Sequence, residues 1–387
     1  MKRFIAIVLA LCIAAGLCAC GKTGGSSSQQ DDSGSSDSAS GGDVSSQEQA
    51  QSEDESTPAA PSGPAPGINL ITGNPLTEGQ TAGARPVAIM VNNIEAAMPQ
   101  RGIASADAIF EMVTEGGITR FLALYADRAA IPRIGPVRSA RDQHVQFAIP
   151  LNAIIVHIGT SIYAENLLKV YHYPTIDGLY LVGSLAFQLD EARKAAGYKQ
   201  EHCWYTDASL IAAGMEKNSI PADGATQPLF NFADPGTKPT PTNMANGLSF
   251  SFSEIAPVTL TYDSATGRYA KTAFNNPQID EATGEQLAFD NVILLFAEVK
   301  PKNPDDPNND LVDFTLTNGS GYYFCNGGYL PITWRKGNPE DPLRLFTSTG
   351  SELSVATGKS YIAVVGSDRE ATLIIDEPQV DSAEPEA

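Results

Sequence analysis

Glu111 and Glu115 stand four residues apart, just ahead of the run Gly116-Gly117-Ile118-Thr119-Arg120. Carboxylates at such spacing, together with His157 and Asp177, are the residue types that move protons in hydrolysis or group transfer. Glu111, Glu115, His157 and Asp177 are therefore the candidate catalytic groups. A second chemistry is written in Ile134-Gly135-Pro136-Val137-Arg138-Ser139-Ala140-Arg141. The guanidinium forks of Arg120, Arg138 and Arg141 match the oxygens of a phosphate, sulfate or carboxylate. If Ser139 caps a helix that starts there, its free backbone N–H groups add to an anion site formed by Arg120, Arg138, Ser139, Arg141 and His157. The same arginines can instead hold internal carboxylates such as Asp107, Glu111 or Glu115, and the sequence leaves both uses open. His157, at the end of an apolar run, is either a ligand-orienting group or a histidine hydrogen-bonded at a strand end.

Other chemistries find little support. His144, His172 and His202 lack metal-ligand spacing, and Cys203 and Cys325 are far apart, so no metal is expected. No phosphate-cradling glycine loop occurs, and no cofactor is expected. Ser161 and Ser184 lack the Gly-x-Ser-x-Gly elbow of a serine hydrolase. Trp204, Trp334 and Tyr322-Tyr323-Phe324 can form a sugar-stacking surface or part of a core.

The elements that must position these residues fall in two parts. Apolar runs at 86–91, 108–114, 121–125 and 153–158 read as strands, with a hairpin across 115–118. Val137, Arg141, Val145 and Ala148 have helical spacing, which predicts a helix over 139–149; further helices are expected near 164–171, 185–195 and 207–217. This predicts an α/β (α+β) domain over 67–220, a mixed sheet covered by helices. The Pro, Asn and Thr-rich stretch 221–246 reads as a linker. Short strands then follow, at 258–262, 268–274, 292–296, 312–317, 321–325, 332–335, 344–346 and 361–365. They predict a small β-rich domain over 247–375, a sandwich or open barrel.

The N-terminus sets the location. Met1-Lys2-Arg3 and an uncharged apolar run to Leu17 have the form of a secretory signal, too short for a permanent span. Cys20, closing Leu17-Cys18-Ala19-Cys20, resembles the lipobox cysteine that carries diacylglycerol and fatty acyl (palmitate) chains. The expectation is a signal peptide over 1–20 and a lipid anchor at Cys20 on the extracytoplasmic face of the cell membrane. A disordered acidic tether over 21–66 would follow, and 376–387 reads as an acidic tail. With tether, tail, Lys2 and Arg3 set aside, the head keeps about half of the net charge of -20. The head that remains is still acidic, which argues against nucleic acid as a partner and leaves a cell-wall component or other anionic ligand to the local arginines.

Taken together, Gly73-Asn74-Pro75-Leu76-Thr77, Arg85-Pro86-Val87-Ala88, Glu115 to Arg120, Gly135 to Arg141, His157 with Gly159, and Thr333-Trp334 carry a resemblance. The chain resembles the YerB-like family of bacterial envelope lipoproteins, catalogued as a domain of unknown function with N-terminal and C-terminal parts. The resemblance covers nearly the whole head and departs from the family at His202-Cys203, where His-Asn is expected. It implies a two-domain α/β plus β architecture and no assigned activity. Three function classes stay open: a tethered binding module for an envelope component, an envelope hydrolase or transferase, and a protein-interaction lipoprotein of a membrane assembly.

Overall fold

The computed structural model describes residues 67–378, apart from 181–184, 226, 238, 240 and 307–309. The signal, Cys20, the tether, Ser184 and most of the acidic tail lie outside the described residues. In chain order the first elements are β1 (Val87–Asn93), β2 (Ala108–Val113), β3 (Thr119–Tyr125), α1 (Asp142–Ala148), β4 (Ile154–His157), α2 (Ile162–Val170) and β5 (Ile176–Asp177). Then come β6 (Gln188–Leu189), α3 (Glu191–Ala195), β7 (Trp204–Tyr205), α4 (Ala208–Lys217), β8 (Asn243–Met244), β9 (Gly247–Ser251), β10 (Pro257–Asp263), β11 (Arg268–Ala273), β12 (Asn276–Pro277) and β13 (Ala288–Phe289). The chain closes with β14 (Asn291–Pro301), β15 (Val312–Thr315), β16 (Asn318–Cys325), β17 (Gly328–Arg335), β18 (Arg344–Phe346), β19 (Ser360–Gly366) and β20 (Ile374–Asp376).

The main sheet is mixed and runs β18-β17-β16-β14-β19-β2-β3-β1-β4-β5. Strands from both ends of the chain meet in it: β19 pairs in parallel with β2, Ala363 opposite Glu111, and also with β14. The stretch read as a linker is not stripped of packing, since Leu229 and Phe230 are buried and Phe232 bridges Val355. β1, β2, β3, β4 and β19 are buried along their whole length, as expected of strands covered on both faces.

The two covers differ, and here the expectation of a helix-covered sheet holds only in part. Successive strand residues point to opposite faces. Phe110 turns to one face and stacks on Phe147 of α1 with ring centroids 4.6 Å apart. Its neighbour Glu111 turns to the other face and meets Lys271 of β11. That second face is covered by a sheet, ordered β12-β11-β10-β9-β20, rather than by helices. The protein is accordingly mostly strand, with few and short helices.

The helix predicted over 139–149 starts later, at Asp142, with Arg141 in the N-cap position. The cause is tertiary. The Arg138 and Ala140 amides donate to Met90 and Gly159 carbonyls, so 137–140 lies extended along the ends of β1 and β4 and cannot begin a helical turn. Ser139 therefore caps nothing, Arg138 is not in the first turn, and the seven-residue helix offers no anion site at its start. Likewise the helix expected over 185–195 is limited to α3, because 188–189 pairs with 204–205.

Candidate functional site

Glu111 sits 1 % exposed on the sheet-covered face. Its Oε1 accepts from Asn93 Nδ2 and Thr119 Oγ1, both at 2.7 Å, and its Oε2 accepts from the Tyr361 hydroxyl at 2.6 Å. Lys271 Nζ lies 3.2 Å from Oε2 and donates to Gln278 Oε1 at 2.7 Å. Gln278 continues through Asn93 and Gln100. Burial lowers the Lys271 ammonium and raises the Tyr361 hydroxyl well above its ordinary value, with Glu111 pulling Lys271 back up. A carboxylate so fully bonded, with no path to solvent, fastens β2, β11 and β19 together and is not placed to meet a substrate.

The arginines lie on the other face, toward α1. Arg120, 1 % exposed, pairs through Nη2 with Glu115 Oε1 and donates from Nη1 to the Ser139 carbonyl at 2.9 Å. Arg141 grips the same carboxylate with both ends of its fork, Nε to Oε2 at 2.8 Å and Nη2 to Oε1 at 2.5 Å. Gly116, at φ +64°, lets the β2–β3 connection turn so that Glu115 reaches both. Burial pushes the Glu115 carboxyl up, but Arg141 and Arg120 outweigh it and hold it down to about 2. At neutral pH it is a fixed anion, not a proton carrier. Burial, with the neighbouring Arg141 charge, lowers Arg120 to about 10.

Arg138 differs. Among the described residues its side chain has no hydrogen-bond or ion-pair partner, and its buried Nε lacks an acceptor, as does the buried Nε of Arg120. Its charge is close enough to act on both Arg120 and His202. His202 meets Asn92 Nδ2 at 3.0 Å through Nδ1, and burial lowers its basicity. Two guanidinium groups thus share the Glu115 carboxylate, and the third, Arg138, stands beside them without a carboxylate of its own.

His157 and Asp177 end the parallel strands β4 and β5, in register with each other. The Nδ1–H of His157 donates to the Gly159 carbonyl at 2.9 Å, which leaves Nε2 to accept from the Thr175 hydroxyl at 2.9 Å. Burial lowers its basicity against the pull of Asp177, so the ring is neutral with the proton on Nδ1. Asp177 Oδ1 accepts from the Gly159 and Leu179 amides at 2.8 and 3.0 Å. Both residues line a cleft of about 740 Å³ beside α2. The segment carrying Arg138 and Ser139 runs alongside, since Ala140 bridges Thr160.

Of the residues singled out in the sequence, the structure thus brings Arg120 and Arg141 onto Glu115, sets Ser139 and Arg138 beside Arg120, puts His157 with Asp177, and sets Glu111 apart on the opposite face. Trp334, at 0 % exposure, belongs to the core and cannot stack on a sugar. Cys203 and Cys325 are separate buried thiols. Among the described residues no cluster of histidine, cysteine and carboxylate side chains could hold a metal, and no helix is long and apolar enough to cross a membrane. Lys271 and Tyr361 were missed by sequence reasoning: a lysine at an inward position of an alternating strand was the signal for the first, and Tyr361 offered none.

A mixed sheet assembled from both ends of the chain, with its arginines drawn together beside the carboxyl ends of parallel strands, is the architecture of a two-part family of unknown function. The chain belongs to this family: residues 71–221 match the N-terminal domain, and residues 248–362 the C-terminal domain, of the protein of unknown function DUF3048. Among its relatives is a Bacillus subtilis (strain 168) protein named "Putative lipoprotein YerB", 28% identical over 292 residues that make up 75% of this chain and 83% of that one. The crystal structure of YerB protein from Bacillus subtilis matches with a TM-score of 0.69 at 27% identity, over 80% of this chain and 99% of the other.

Proposed function

We propose that the protein is a lipid-anchored, extracytoplasmic binding module whose arginine region takes an anionic group of an envelope component. The observation that carries this reading is Arg138, a guanidinium without a partner among the described residues, set beside Arg120 and its unfilled Nε–H. Buried donors in native proteins are nearly always satisfied, and an arginine fork left open beside two others calls for an anion. Glu115 neutralises one of the three charges and fixes the geometry of Arg120 and Arg141. Arg138 and the exposed part of Ser139 are left for the ligand. Anchoring through Cys20 is supported by the similarity to a relative named a lipoprotein. The envelope hydrolase or transferase finds less support, because both glutamates it would use are held in internal pairs.

The test uses the full-length protein in detergent and a phosphate-bearing polyanion, inorganic polyphosphate, as probe. Arg138→Ala should abolish binding with the melting temperature nearly unchanged. Retained affinity in this variant overturns the reading. Replacement of Cys20 by alanine should, in cells, eliminate incorporation of labelled palmitate and release the protein from the membrane fraction.

A further inference from the structure

The cleft at the ends of β4 and β5 has chemistry of its own. Its volume of about 740 Å³ exceeds that of the apolar pocket beside Phe274 and Pro277, about 370 Å³, and is of the size that holds small ligands. Its lysine, Lys169, is already paired with the Glu165 carboxylate at 2.6 Å, the buried His157 ring is neutral, and a second carboxylate, Asp177, stands in the cleft. An anionic ligand is therefore disfavoured here, in contrast to the arginine region.

The polar groups are set and partly unused. Asp177 is 8 % exposed, and while Oδ1 holds two backbone amides, Oδ2 has no partner among the described residues. The Thr160 hydroxyl likewise has none among them, and Asn218 uses its amide nitrogen on the Thr175 carbonyl, leaving its oxygen. Hydroxyls, each both donor and acceptor, are the ligand groups that satisfy such a mixture. At the mouth stands Tyr180, 82 % exposed. Its backbone is pinned, because the Tyr180 amide donates to the Asp177 carbonyl at 3.1 Å and the Leu179 amide to Asp177 Oδ1 at 3.0 Å. An exposed aromatic ring on an anchored turn, beside uncommitted acceptors, is the arrangement that receives the apolar face of a sugar ring and its hydroxyls.

We infer that this cleft is a binding site for an uncharged saccharide, whose ring packs on Tyr180 while its hydroxyls bond Asp177 and Thr160. The inference does not depend on the arginine site. The full-length protein in detergent is titrated calorimetrically with chitotetraose and with maltotetraose. At least one should bind with a Kd of about 1 mM or tighter. Tyr180→Ala should weaken that binding by about threefold to tenfold, the worth of an aromatic contact. Asp177→Asn, which keeps Oδ1 as an acceptor for the two amides, should weaken it at an unchanged melting temperature. Arg138→Ala should leave it as it is, which separates this site from the anion site. Failure of both saccharides to bind overturns the inference, as does binding that both Tyr180→Ala and Asp177→Asn leave unaltered.

Discussion

Replacing Glu115 by glutamine removes one negative charge from between two buried guanidinium groups. In the native protein that carboxylate accepts both ends of the Arg141 fork and the Nη2 of Arg120, which are 9 % and 1 % exposed. Each arginine keeps one backbone carbonyl, Ala140 for Arg141 and Ser139 for Arg120. Glutamine retains one acceptor oxygen, so the loss should fall at the low end of what breaking a buried ion pair costs, about 3 kcal/mol. In a folded unit of about 310 residues that lowers the melting temperature by roughly 5 °C. Urea unfolding monitored by tryptophan fluorescence gives the free energy directly. The pH dependence supplies an independent check. The folded carboxyl is held down to about 2 from an ordinary 4.5, so its stabilisation is fully present above pH 4.5 and is lost as pH falls toward 2. Discounted for partial exposure, that part is worth about 2 kcal/mol. It should be missing from the difference between wild type and Glu115→Gln at pH 2 and present at pH 6. Removing Arg141 as well, in Glu115→Gln with Arg141→Gln, should recover part of the loss. A variant within about 0.5 kcal/mol of wild type at pH 6 would refute the reasoning, since an exposed pair behaves that way.

Other consequences can be checked at the bench. Lys271→Met leaves Glu111 buried and unpaired and should destabilise by about 3–5 kcal/mol in urea unfolding; adding Glu111→Gln should restore much of it. His144 is lowered to about 3 by burial, so the unfolded state binds its proton first and stability falls as pH drops below 6.5. His144→Gln should flatten the stability profile between pH 6.5 and about 4, on the order of 3 kcal/mol across that interval. Cys325 is buried and its thiol pushed up to about 11, so it should resist a thiol reagent until the protein unfolds, as mass spectrometry of the labelled protein can show. Gly159→Ala forces a residue at φ +77° and brings its methyl within 3.3 Å of Ser139 Oγ and Leu179, and should cost about 1–2 kcal/mol by thermal melts.

The local elements were legible in the sequence wherever local forces decide them. β1 to β4 stand out as apolar runs, and the hairpins at 115–118 and Gly267 carry their turn residues. The start of α1 was misplaced because hydrogen bonds from 138 and 140 to distant strands override helical spacing, and nothing local records them. The same blindness covers the pairing of β19 with β2, since parallel neighbours some 250 positions apart leave no periodic trace. At the site, residue types drew attention to the glutamates and arginines. Which glutamate meets which arginine depends on sheet face, and only the register shows that Glu111 and Arg120 point opposite ways.

The pairing of β2 with β19 also orders events in time. β2 lies between β3, which follows it at once, and β19, which enters the sheet only when nearly the whole chain has been synthesised. Until then one edge of β2 exposes unpaired backbone, and Glu111 waits for Lys271 and Tyr361. The N-terminal segment, 71–221, is therefore a unit of sequence that cannot be cut out as a unit of folding. An emerging chain of this family must be kept from pairing that edge with a neighbour until its own last strands arrive.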